Sequence, residues 1–209
     1  LGALFPHAAD RWLAAHGADV RLGHRVQSLQ PQGDAWSVDG ESFDAVILAT
    51  PSTEAARLVE RSGVAAAGWV GAANALTFEP ITTVYVTGGP ALPLPMLALR
   101  TGPAQFVFDR AQLGGPAGLL AFVASASQGD KDAIERDVLA QASALGWSAR
   151  PLQTVVEKRA TFACVPGLRR PPLAIAPGLW ACGDYVEGPY PATLEGAVRA
   201  ALAVGEQLA

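Results

Sequence analysis

The chain has 209 residues, is 50% apolar, and sets fifteen basic against nineteen acidic side chains for a net charge of -4. This is enough apolar material for a buried core, and no basic run could neutralise a phosphate backbone, so nucleic acid is not an expected partner. The uncharged stretches 62–78 and 80–99 are too short or too broken by Gly and Pro to span a bilayer, and no secretory leader pattern is visible, so a cytoplasmic protein is expected. In chain order, Leu1, Leu4, Phe5, Ala8, Trp12 and Ala15 make a helical stripe that stops at Gly17. Asp19–Leu22 and His24–Leu29 read as short strands. Trp36–Val38 and Glu41–Phe43 flank Asp39-Gly40, a tight-hairpin signal. Ala45–Ala49 is a continuous apolar run, the pattern of a strand covered on both faces. Thr53–Arg61 predicts a helix, and Gly63–Ala75 a continuation or a second one. Ile81–Val86, Met96–Arg100, Gln105–Phe108 and Leu119–Ser125 predict an antiparallel sheet separated by Gly and Pro clusters. Asp130–Leu145 reads as a helix with Ile134, Val138 and Leu145 on one side, and 155–162 as a returning strand.

The C-terminal stretch carries the most chemistry. Gly178 to Tyr185 combines a short apolar strand with a Gly-Asp break, and Pro191 to Val198 opens a final helix. Leu194, Ala197, Val198, Ala201, Leu202, Gly205 and Leu208 fall on one face, expected to pack on a sheet. Pro191 and Thr193 supply start signals, and the unpaired N–H groups of the first turn suit a partner carrying negative charge.

The run Cys182-Gly183-Asp184-Tyr185 with Pro191-Ala192-Thr193-Leu194-Glu195-Gly196-Ala197-Val198 resembles the closing FAD-binding motif of the flavin amine oxidase and phytoene desaturase superfamily. Arg159 to Gly167 resembles its squalene-associated desaturase branch, also described as hydroxysqualene dehydroxylase, and Phe43 to Pro51 matches the family's middle strand. The resemblance implies a fold of α/β plus α+β class: a partial, amine oxidase-like FAD-binding layer from residues 1–75 and 166–209, with an antiparallel-sheet substrate domain, 76–165, inserted. It implies FAD as cofactor, with the backbone at Val26 meeting adenine, Thr50-Pro51 passing near the dinucleotide, and Gly183, Asp184, Pro191, Ala192, Thr193, Leu194 and Ala197 along the flavin. Equally open from the residues alone, Val26 is a core residue and Thr50-Pro51 merely joins a strand to a helix. Gly183-Asp184 is open to the same reading, as an ordinary turn.

A dinucleotide fold normally opens on a strand, a Gly-x-Gly-x-x-Gly turn and a helix that holds the pyrophosphate, and no such run exists here. Gly114-Gly115 with Gly118 is followed by no helix pattern. The resemblance therefore implies the C-terminal portion of a longer enzyme, expected not to grip FAD tightly without an N-terminal Rossmann portion.

Cys164 and Cys182 lie far apart, outside any Cys-x-x-Cys spacing, and His7, His16 and His24 form no ligand set, so neither a disulfide nor a metal is expected. No protein acid or base stands out, as suits an enzyme whose cofactor carries the redox chemistry. Arg159 and Thr161 are the polar groups expected nearest the substrate. Flavin amine oxidases place an aromatic residue where this chain has Thr193 and commonly use a lysine near the flavin, whereas Lys131 and Lys158 are the only lysines here. The few charges between Val64 and Leu99 instead suit an apolar small molecule such as an isoprenoid, with peripheral membrane contact for its entry. A flavin amine oxidase, or a non-catalytic domain that has lost its cofactor, are the alternatives.

Overall fold

The computed structural model describes Gly2 and residues 5–208. Helix α1 (Pro6–Ala15) buries none of its residues, and Phe5 and Trp12 are exposed. Leu1 and Leu4 of the expected stripe lie outside the described residues. Trp12 stacks on His16 rather than on a core, with ring centroids 3.9 Å apart.

The two strands expected before residue 29 do not form. The backbone N–H groups of Gln27 and Ser28 donate to the Asp39 carboxylate at 3.0 and 2.7 Å, so a side chain takes the bonds a ladder would have made. These bonds, that from Ser28 foremost, hold the Asp39 carboxyl below its ordinary range. Pairing begins at β1 (Leu29–Gln32), which with β2 (Ala35–Val38) and β3 (Glu41–Phe43) makes an antiparallel meander. The expected hairpin is there: Val38 faces Glu41, with Asp39 at φ 48° in the turn.

Strand β4 (Val46–Leu48) follows, then α2 (Ser52–Ser62) and α3 (Ala67–Asn74). The chain next builds β5 (Phe78–Thr87), β6 (Met96–Ala98), β7 (Phe106–Asp109) and, after a 3-10 turn at Ala111–Leu113, β8 (Leu120–Ser125). Helix α4 (Lys131–Ala144) starts on Asp130, whose carboxylate accepts from the Ala133 N–H at 2.7 Å. Strand β9 (Arg150–Phe162) completes an antiparallel sheet in the order β6-β7-β8-β5-β9. Leu145, expected on the buried side of α4, lies past its last residue and is 43% exposed.

The last elements are β10 (Ala174–Ala176), β11 (Leu179–Ala181) and α5 (Leu194–Leu208). Strand β11 runs parallel to β4, Leu179 beside Val46 and Ala181 beside Leu48, so the third sheet has the order β10-β11-β4. Strand β4 is covered on one face only, since Leu48 is buried while Ile47 is 42% exposed, against the expectation of burial on both. Helix α5 also departs from expectation. Its buried positions are Gly196, Ala200 and Val204, whereas Leu194, Val198, Leu202 and Leu208 of the expected stripe point to solvent. The small-residue stripe is what lets the helix backbone seat closely; among the described residues nothing covers the larger one.

Two buried clusters result. The first gathers Leu29, Trp36, Leu48, Val59 and Trp69 with Leu179, Tyr185 and Ala200, drawing on both ends of the chain. Two indoles stitch those ends: Trp36 donates to the Pro177 carbonyl at 3.0 Å and Trp69 to the Pro172 carbonyl at 2.8 Å. The second packs Val84, Val107, Leu120 and Phe122 of the large sheet against Ile134, Val138 and Ala142 of α4. Phe78 and Phe162, at one end of β5 and β9, pack in the first cluster, while Val84 and Val86 of β5 belong to the second, so β5 runs from one core into the other.

Candidate cofactor site

Where β4 and β11 end side by side, the chain leaves the sheet twice, at Ala49-Thr50-Pro51 and at Cys182-Gly183-Asp184. Parallel strands place both exits at the same sheet edge, the usual location of a ligand crevice. A cavity of about 310 Å³ opens there, lined by Thr50, Pro51, Ser52, Gly183, Asp184 and Ala197. Its far wall is the end of the large sheet: Phe78 of β5, with Arg159, Thr161 and Phe162 of β9. Arg159 makes no ion pair among the described residues; its Nη1 donates to Thr53 Oγ1 at 3.2 Å and its guanidinium lies 5.8 Å from the Phe78 ring centroid.

Thr50 and Pro51 also line a second cavity, about 710 Å³, whose other walls include Val26, His24, Arg25 and Arg57. The two cavities thus meet at one dipeptide. Val26 packs against the first core and its carbonyl accepts from Arg57 at 3.2 Å. The structure brings Thr50, Pro51, Gly183, Asp184, Ala197, Arg159 and Thr161 around one cavity and Val26 beside its neighbour. Pro191, Ala192, Thr193 and Leu194 stand outside both linings.

That last segment forms the corner into α5. Thr193 caps the helix, its hydroxyl accepting from the Gly196 N–H at 3.0 Å and donating to the Tyr190 carbonyl at 2.7 Å. Tyr190 and Ala192 hold φ of 58° and 57°, left-handed backbone that non-glycine residues rarely adopt. Any Cβ at Gly196 would collide with the Tyr190 carbonyl oxygen, so glycine is required there. At Gly183, which lines the cavity, a Cβ would lie 2.9 Å from the Tyr185 ring, so the close packing of that tyrosine needs a residue without one.

The cavity wall carries polar groups held partly out of solvent. Among the described residues no other residue's hydrogen bond reaches the Asp184 carboxylate, and burial raises its pKa, offset in part by its own backbone N–H and by the charge of Arg170. Burial likewise raises the Cys182 thiol and the Tyr185 phenol, so both stay protonated at neutral pH. Ser52 Oγ and Tyr185 OH are buried with no hydrogen-bond partner among the described residues. Ser52 and Tyr185 are cavity residues that sequence reading passed over; a hydroxyl directly after Thr-Pro at a helix start, and a tyrosine directly after Gly-Asp, were the available signals. Among the described residues no group of three metal-ligating side chains forms, and neither lysine reaches this cavity, both lining a separate one beside Ile134.

A family profile described as flavin containing amine oxidoreductase matches residues 5–209. The chain belongs to that family. Membership of the flavin containing amine oxidoreductases implies a flavin cofactor, and the site accords with it: a wall residue without a Cβ at Gly183, orphaned hydroxyls at the wall, and two cavities joined at Thr50-Pro51. Two curated relatives are named hydroxysqualene dehydroxylase, from Rhodopseudomonas palustris at 30% identity and Sinorhizobium fredii at 28%, each alignment covering 95% of this chain. The chain spans about half their length, 49% and 48%. Among solved structures, an oxidoreductase from Methanosarcina mazei superposes with a TM-score of 0.73 over 96% of this chain and 53% of its own, at 16% identity. A redesigned putrescine oxidase superposes with a TM-score of 0.62 over 97% and 52%, at 15% identity. At such identities these two likenesses establish the family's fold alone.

Proposed function

We propose that the chain is the part of an FAD-dependent oxidoreductase that faces the isoalloxazine ring and the substrate, and that the substrate is an isoprenoid, with dehydroxylation of hydroxysqualene as the reaction. The observation that carries this reading is the convergence of Thr50, Pro51, Gly183 and Asp184 with Arg159 and Thr161 around one cavity. In it, residues 1–75 and 166–209 form the cofactor side and 76–165 the substrate side. Gly183 lets the main chain approach the cofactor, Asp184 accepts hydrogen bonds from polyol hydroxyls, and Ala197 brings the first turn of α5, entered through Pro191 to Leu194, to the cavity wall, where the helix's amino end favours developing negative charge. Bound flavin supplies the two-electron chemistry that dehydroxylation requires.

The hydrocarbon choice rests on the two relatives' names and on the large sheet. Its register sets Met96, Phe106, Phe108, Val123 and Val155 on the face opposite α4, where Met96, Phe106 and Val155 are 47%, 37% and 43% exposed. An apolar face ending at a flavin site suits a greasy chain better than an amine. Among the described residues no helix is long and apolar enough to cross a membrane, so a membrane-borne substrate would be met by peripheral contact from the cytoplasmic side.

The test is to purify the whole gene product that contains these residues, record its visible absorbance and supply hydroxysqualene with a reductant. Bound flavin and squalene formation support the proposal. A protein that binds no flavin is instead a domain that has lost its cofactor, and oxidation of amines with no action on hydroxysqualene would move it to the amine oxidases.

A further inference from the structure

The loop from Asp184 to Ala192 has no regular secondary structure, yet it sets both the Gly-Asp corner and the start of α5. Three of its carbonyls are taken by one side chain. Arg170 Nη1 donates to Val186 O at 2.6 Å and to Asp184 O at 3.3 Å, and Nη2 donates to Gly188 O. The loop also closes on itself, Ala192 N–H to Asp184 O at 3.3 Å, and Glu187 N–H bonds Pro171 O at 2.8 Å beside the arginine. Arg170 forms no ion pair among the described residues, so its direct contacts are to these carbonyl dipoles. The far end of the loop holds Tyr190 and Ala192 in left-handed backbone, which persists only where the surroundings over-determine it.

We propose that Arg170 is a positioning residue for the flavin site: its guanidinium clamps the Asp184–Gly188 carbonyls, fixing the Gly183-Asp184 corner against the ring and holding a positive charge behind it. The assignment rests on the flavin reading above. A planar fork satisfies several carbonyls at once, and lysine, a point charge on a flexible stem, does not reproduce that geometry. The charge already reaches the cavity, since it opposes the burial-driven rise of the Asp184 pKa. Reduced flavin is anionic, so removing the charge weakens binding of the reduced form more than of the oxidised form.

The experiment compares the whole flavoprotein with Arg170→Ala and Arg170→Lys, measuring the FAD dissociation constant, the flavin reduction potential and thermal unfolding of the flavin-free proteins. Arg170→Ala is expected to lose at least tenfold in FAD affinity and a further tenfold for reduced flavin, a two-electron potential lower by about 30 mV. Millimolar guanidinium should restore part of both. Arg170→Lys is expected to keep the potential while losing affinity. Either variant binding FAD as tightly as the unaltered protein overturns the clamp, as does an Arg170→Ala potential that does not move. An unaltered protein that binds no flavin overturns the functional reading itself, a distinguishable result.

Discussion

The Tyr185 hydroxyl sits in the first core with nothing to bond among the described residues, and a buried donor left unmade costs about 1–3 kcal/mol. Tyr185→Phe should therefore stabilise the flavin-free chain by roughly 1 kcal/mol, read as a rise in urea midpoint at constant slope. Two glycines of α5 make an opposed pair. Gly196→Ala must displace the Tyr190 carbonyl and should cost about 2 kcal/mol. Gly205→Ala meets open space in a helix interior and should gain roughly 0.5–1 kcal/mol. Asp184 predicts a pH signature. Its folded pKa lies above the ordinary 3.8, so its favourable contribution is complete below that value and is lost as pH rises through the folded one. Asp184→Asn should thus raise the melting temperature of the flavin-free chain at neutral pH and give no gain near pH 3.

At the scale of elements, α5 shows where periodicity misleads. Both of its stripes are apolar, and the pattern favours the one with larger side chains, Leu194, Val198, Leu202 and Leu208. Close packing chose the other, because Gly196 must pass under the Tyr190 carbonyl and that fixes the helix's rotation. Leu202→Glu should accordingly change the stability of this chain by less than about 0.5 kcal/mol, while Val204→Ala, in a fully buried position, should cost about 2 kcal/mol in the same denaturant titration. The hairpin at Asp39-Gly40 and the start of α4 after Asp130 were legible because their determinants lie within four residues. The strand expected at His24–Leu29 failed for a related reason: Asp39, eleven residues beyond Ser28, captures the Gln27 and Ser28 N–H groups.

For the molecule as a whole, composition and alternation sufficed for the large sheet, in which β6, β7 and β8 pair consecutively and β5 lies between β8 and β9. The β4–β11 pairing joins residues far apart in sequence and left no local mark. The chain order of its motifs pointed to it only through the family resemblance, as it did for the meeting of Thr50-Pro51 with Gly183-Asp184. Arg170 left no sign at all, since an Arg-Arg-Pro-Pro run reads as a solvated loop. Because β5 contributes to both buried clusters, Phe78 to the first and Val84 and Val86 to the second, the clusters should melt together. Phe122→Ala, expected to cost about 3–5 kcal/mol, should lower a single calorimetric transition, with the tryptophans of the first cluster, Trp36 and Trp69, reporting the same midpoint as far-ultraviolet dichroism.

Among the described residues strand β4 has a neighbour on one side only, so the margin of its sheet presents unpaired amide and carbonyl groups next to exposed Ile47. Such a margin templates polymerisation. Concentrated samples of this chain should lose material to intermolecular strand pairing at a rate that climbs with protein concentration. Lysine at position 47 should slow that loss without disturbing the melting temperature, since the side chain there already faces water.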